Sequence, residues 1–177
     1  MVHKINKIST PVIPSIQLYD SGTQTFTTAG EFHTWDTIAF KTSDFHYVAD
    51  DDRVIVQLPS AGYYEITFES SFTVGAPGFA SATSQLYING EAVEGSKACG
   101  CGYDSGQGSI ACACVTLHFI KYFNANDYIQ IETITSLGSV DVLTTPETSR
   151  LIIKFIPTRG WNNSSGGNIN YKGEVMR

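Results

Sequence analysis

The sequence predicts an all-β fold, and three observations carry that reading. Apolar and polar residues alternate with a period of two along most of the chain. Val, Ile, Thr, Tyr and Phe dominate these runs, with clusters of Gly, Pro, Asn, Asp and Ser between them. No window keeps apolar residues at i, i+3, i+4 and i+7 over three helical turns. Without connecting helices, a parallel α/β sheet is excluded. About ten strands in a chain of this size predict an antiparallel sandwich or jelly roll. No internal repeat points to a propeller or solenoid.

The elements follow in chain order. Residues 1–14 hold Pro11 and Pro14 and show no alternation, which predicts an N-terminal arm. Strands are expected over 15–19, 34–40 and 44–48. Val54, Val56 and Leu58 then share one face before a turn at Pro59-Ser60-Ala61-Gly62. Beyond it, Tyr64, Ile66, Phe68, Phe72 and Val74 fall on one face, with Glu65, Thr67 and Glu69 on the other. That pattern suits a strand with a single buried face. The run at 82–88 ends at Asn89-Gly90, a strong two-residue hairpin signal. A strand at 109–122 leads into the turn Asn124-Ala125-Asn126-Asp127, and strands at 128–134 and 150–156 complete a domain spanning 15–157. Residues 158–177 are polar and Gly-rich, a C-terminal arm expected to be disordered or ordered only against a neighbour.

Composition narrows the function classes. The 177 residues carry a net charge of −6, and only 16% are charged, against about 25% in an average soluble domain. An acidic chain lacks the basic face that nucleic acid or an anionic membrane demands. Aromatics at 12% exclude disorder as the main state. No apolar run approaches the roughly 18 residues of a membrane span. The first fourteen residues lack the apolar core of a secretory signal. So few charges suggest that part of the surface is hidden against partners.

All four cysteines lie in the segment CGCGYDSGQGSIACAC. An antiparallel hairpin centred on Gly106-Gln107 would set Cys99 opposite Cys114 and Cys101 opposite Cys112. Three states fit. Two stacked cross-strand disulfides are one, if the compartment is oxidising. Four thiols on a buried or interfacial strand face are another, since free Cys packs as a small apolar residue. A four-thiolate metal site is the third, although Cys-x-Cys twice lacks the usual spacer of zinc knuckles. Alternation places Val115, Leu117 and Phe119 towards the core. Cys112, Cys114, Thr116, His118 and Ile120 then point outwards, with Cys112, Cys114 and Ile120 as interface candidates.

Catalytic signals fail one by one. Asp104-Ser105-Gly106 has no histidine in a triad context. Gly100 and Gly102 lack the third glycine and the helix of a dinucleotide site. His3, His33, His46 and His118 are scattered without metal spacing. Asp50-Asp51-Asp52 reads as a solvated turn before it reads as a cation site. Asn162-Asn163-Ser164-Ser165 holds overlapping glycosylation sequons that read as chance in the absence of a signal. No enzyme, metal or cofactor is expected.

From Trp35 to Ile156 the order of motifs resembles a known family. Trp35-Asp36-Thr37-Ile38 and Phe45-His46-Tyr47 precede Arg53-Val54-Ile55-Val56 and Ala61-Gly62-Tyr63-Tyr64-Glu65-Ile66. Leu86-Tyr87-Ile88-Asn89-Gly90, Asn126-Asp127-Tyr128-Ile129 and a last strand from Leu151 to Ile156 follow. This resembles the jelly roll shared by the globular head of complement component one, subcomponent q, and the tumour necrosis factors. Two departures stand out: Asn126 replaces the usual Gly, and the Phe-x-Gly-Phe signature of the last strand is missing. The resemblance implies a ten-stranded jelly-roll sandwich and a homotrimer about a threefold axis. Jelly rolls of this type without a stalk are similar to structural proteins of tailed bacteriophages. The leading expectation is therefore a virion structural protein, made in the host cytoplasm: a capsid-surface decoration, or cement, trimer bound to the major capsid protein lattice. Trp161 and Tyr171 would anchor its arm, as buried aromatics do at interfaces. One alternative is a receptor- or glycan-binding tip of a tail fibre, spike or head fibre, with Tyr103 stacking on a host-surface glycan. A secreted trimeric signalling module is the other.

Overall fold

The computed structural model describes residues 12–157, apart from 43–44, 51–52, 75–76, 105, 107–111 and 138–140. The side chains of 49–50, 53–57, 112 and 136–137 lie outside the description as well. The described chain is all-β, with every strand pair antiparallel.

Two sheets face each other. The first holds β1 (Ser15–Tyr19), β2 (Thr25–Phe26), β4 (Thr37–Lys41), β7 (Gly62–Val74), β10 (Cys112–Phe123), β12 (Val142–Thr144) and β13 (Arg150–Ile156). Its order is β2-β12-β7-β13-β1-β4, with β10 on the other side of β7. The second holds β3 (Glu31–Phe32), β5 (His46–Asp50), β6 (Arg53–Gln57), β8 (Gly78–Ile88), β9 (Glu91–Asp104) and β11 (Tyr128–Leu137). It runs β5-β6-β11-β8-β9, with β3 added to β11. This is the jelly-roll sandwich the sequence predicts, with thirteen described strands rather than about ten. The extra β2, β3 and β12 have two or three residues each, too short to show alternation.

The core forms where the alternation directs it. Tyr64, Ile66, Phe68 and Phe72 of β7 are fully buried, together with Leu151, Ile153 and Phe155 of β13 and Ile16 and Leu18 of β1. Ala80, Ala82, Leu86, Ile129 and Ile131 face them from the second sheet. Ser70 breaks the apolar run of β7, and its buried hydroxyl is satisfied by Ser149 Oγ at 2.7 Å. Gly62 opens β7 beneath the Phe155 ring, where an added Cβ would lie 2.4 Å from a ring carbon. The hairpin at Asn89-Gly90 has φ of 53° and 84°, the left-handed pair that a type I′ turn requires. Asn89 also ties two turns together, donating from Nδ2 to Asp127 Oδ1 and accepting from the Tyr128 amide.

Two expectations are corrected. The strand predicted over 34–40 starts only at Thr37. Ahead of it Trp35 is buried in the core, and its carbonyl accepts the Tyr47 hydroxyl. More consequential is the cysteine hairpin. β9 pairs with β8, setting Cys99 opposite Thr83 and Cys101 opposite Ser81. β10 pairs with β7, setting Cys112 opposite Thr73 and Cys114 opposite Ser71. The chain therefore changes sheets between β9 and β10, and the direct register of Cys99 with Cys114 and Cys101 with Cys112 is not formed. β10 gains a twelve-residue ladder along β7 while burying Ala113, Val115 and Leu117. β9 instead lies against the flank of β10. Gly100 allows that approach, because a Cβ there would sit 2.6 Å from the Cys114 carbonyl oxygen.

Candidate interaction face

The outward side of the first sheet is the candidate site. Antiparallel partners share a face, so the strand registers lay it out in rows. Tyr122, Tyr63 and Ile156 form one row. Ile120, Glu65, Lys154 and Ser15 form the next. His118, Thr67, Ile152, Gln17 and Phe40 come third, then Thr116, Glu69, Arg150, Tyr19 and Thr37. Cys114 and Ser71 close the face at the far end.

Large apolar groups on this face remain open to solvent. Tyr63, Ile120, Tyr122 and Phe40 are 46%, 54%, 51% and 52% exposed. The Tyr63 and Tyr122 rings meet edge to face at 5.5 Å, an arrangement that fixes their geometry. Charge is locally balanced. Glu65 lies opposite Lys154, and Glu69 lies opposite Arg150. His118 Nε2 sits 2.9 Å from Glu65 Oε1. A partly exposed pair of this kind is worth only ~0–1 kcal/mol to a single chain. Opposite charges set across from one another among apolar groups suit a surface that is to be covered, because neighbouring partners are at hand when it is buried. Glu69, Ser71, Cys114, Thr116, Glu147 and Arg150 line an open depression of about 330 Å³ at the Cys114 end.

The residues singled out from sequence separate in space. Cys114 and Ile120 lie on this outward face, as alternation places them. Cys99 and Cys101 are exposed on the edge strand of the other sheet. Cys99, Cys101 and Cys114 are free thiols. The side chain of Cys112, and Trp161 and Tyr171 with the C-terminal arm, lie outside the described residues. Among the described residues no three His, Cys, Asp or Glu side chains converge as a metal set. Sequence reasoning missed Tyr63, Tyr122, Ile156, Ile152 and Phe40 as parts of the face. The parity of Tyr122 with Ile120, and of Tyr63 against buried Tyr64, is a local signal for two of them.

Within the core between the sheets, a buried aromatic cluster holds a polar centre. His33 stacks on Trp35 at 5.4 Å and contacts Phe26 at 4.5 Å and Phe68 at 4.8 Å. Its Nε2 bonds Thr133 Oγ1 at 2.7 Å, which in turn bonds Ser84 Oγ at 2.6 Å. Nδ1 has no partner among the described residues. Burial among apolar rings drives the imidazole pKa down to about 3, so the ring is neutral.

No protein family matches the sequence. No curated protein matches it either. Solved structures match the fold. Eiger TNF from S. frugiperda aligns with a TM-score of 0.56 at 11% identity, covering 82% of this chain and 93% of that one. Murine APRIL aligns with a TM-score of 0.54 at 9% identity, covering 82% of this chain and 100% of that one. The chain therefore has a TNF-like jelly-roll fold.

Proposed function

We propose that the chain is a non-enzymatic assembly module that forms a homotrimer through the outward face of its first sheet. We further propose that it serves as a capsid-surface decoration protein of a tailed bacteriophage. The observation that carries the assembly reading is the exposed cluster Tyr63, Tyr122 and Ile120 on β7 and β10, with Phe40 exposed on β4 at the other side of the same sheet face. A TNF-like fold is compatible with a trimeric module. Three copies around an axis each present two different surfaces, so this face on one copy covers another patch on its neighbour. The decoration role rests on the sequence resemblance and on the polar segment 158–177, with Trp161 and Tyr171 as its anchors on the major capsid protein lattice. Three arms on one trimer turn weak individual contacts into firm attachment.

The test has two arms. Sedimentation of the full chain gives a trimer-sized species; a monomer at micromolar concentration removes the assembly reading. Full chain and chain lacking 158–177 are then mixed with expanded empty capsids. The full chain binds, whereas the shortened chain stays trimeric and does not. Equal binding by both overturns the arm; binding to host cells but not to capsids overturns decoration. That last outcome would favour a glycan-binding tip, for which one observation speaks. Phe79 and Tyr103 are cross-strand neighbours, 44% and 59% exposed, and together offer a surface for stacking on a sugar ring.

A further inference from the structure

We propose that Cys99 and Cys101 form a two-sulfur chelate for a soft monovalent d10 cation, Cu(I) being the ion that fits. Both thiols are free and exposed. Two residues apart on β9, they leave the same face of the strand about 6.6 Å apart at Cα. Rotation about their Cα–Cβ bonds brings the sulfurs to either side of a single ion.

The backbone beneath them is held. β9 is hydrogen-bonded along β8, with Cys99 opposite Thr83 and Cys101 opposite Ser81. From behind, Gly100 abuts the Cys114 carbonyl so closely that a Cβ would lie 2.6 Å from its oxygen. Gly102 is buried on the same inward side. The motif is thus fixed in an extended form with both thiols projecting outwards, and binding requires no ordering of the chain. In the free protein the Cys99 thiol rests against the Gly100 carbonyl oxygen at 3.8 Å, a weak contact that is easily given up.

The number and type of donors select the ion. Cys114 leaves the outward face of the other sheet, with Sγ 3.5 Å from Ser71 Oγ, and among the described residues no third ligand joins the pair. Two sulfurs do not satisfy the tetrahedral demand of Zn²⁺, and hard cations take oxygen donors. Thiolate sulfur favours Cu(I), which accepts two-coordinate binding. On binding, each thiol releases one proton to water and two copper–sulfur bonds form, with no change in oxidation state. The product carries one net negative charge. Lys97, exposed two residues before Cys99 on the same strand, supplies a positive charge on that side of β9.

The test is an anaerobic titration of the fully reduced full-length protein with Cu(I), against bicinchoninate as a coloured competing chelator. One equivalent of Cu(I) per chain should transfer to the protein, with a thiolate-to-copper absorption in the ultraviolet. Cys99→Ser and Cys101→Ser should each weaken binding by on the order of 100-fold, since each removes one of two donors. Cys112→Ser and Cys114→Ser should leave stoichiometry and affinity unchanged. Far-ultraviolet circular dichroism checks that each variant is folded. Failure of the unmodified protein to take copper overturns the proposal. So does full binding by folded Cys99→Ser or Cys101→Ser, or equal loss in Cys112→Ser or Cys114→Ser.

Discussion

His33 shows how one buried side chain sets a response to acid. In the unfolded chain a histidine titrates near 6.5, while in the folded chain its pKa lies at about 3. Between these values the unfolded state binds the extra proton. Stability is therefore complete above the unfolded pKa and falls as pH drops towards the folded one. The loss attributable to this group is about 2 kcal/mol at about pH 5 relative to about pH 7.5. Urea unfolding at the two pH values, at fixed protein concentration, measures it. His33→Leu keeps an apolar group within the Trp35, Phe26 and Phe68 rings but removes the titration, so its stability should be flatter over that range. Its absolute stability should fall, because the buried Thr133 hydroxyl loses its imidazole partner and keeps only Ser84. A histidine lying between apolar runs gives no local sign of burial; its environment comes from Phe68 and Thr133, far away in the chain.

For the strands, the flank formed by β9 and β10 is the sensitive point. Gly100→Ala would drive a methyl group into the Cys114 carbonyl, and that backbone oxygen has no rotamer to yield. A cost of about 1–3 kcal/mol is expected, read as a lower urea midpoint. Gly22→Ala meets only the Asp20 carboxylate at 3.6 Å, an ordinary contact, and should change stability by no more than about 0.5 kcal/mol. Local alternation made most of these strands legible. The buried face of β7, the inward Val115 and Leu117, and the turn at Asn89-Gly90 all follow from neighbouring residues. The partner of β9 does not. Residue spacing around Gly106-Gln107 satisfies a direct hairpin just as well, and the choice of β8 and β7 depends on apolar faces far along the chain. The candidate face was only partly legible for the same reason. Cys114 and Ile120 share a strand, whereas Phe40 reaches their surface only through the order β4-β1-β13-β7-β10.

Assembly is decided at the scale of the molecule. Ile120→Glu puts a charge within the exposed apolar cluster on β10, opposite Glu65, without touching the core. The variant should keep its far-ultraviolet circular dichroism and a cooperative melt, yet sediment as a monomer where the unmodified chain sediments as a trimer. Losing the association should lower its thermal midpoint and make it independent of protein concentration. A trimer unchanged by Ile120→Glu, and by the same change at Tyr122, would place the contact elsewhere on the molecule. Both positions are solvent-exposed in the single chain, so the comparison isolates association from folding.

The meeting of β9 and β10 also gives the sandwich a sidedness. Each is the last strand of its sheet, and each shelters the backbone of the other. The opposite flank ends in β4 and β5, where Ile38, Ala39, Phe40 and Lys41 are all exposed in succession. Unpaired amides and carbonyls at a sheet margin can accept a foreign strand. Sheet-to-sheet growth between molecules is therefore restricted to one side. Among the described strands a single margin is thus left to guard against fibrous misassembly, and Lys41, a charge at the end of β4, stands on that margin.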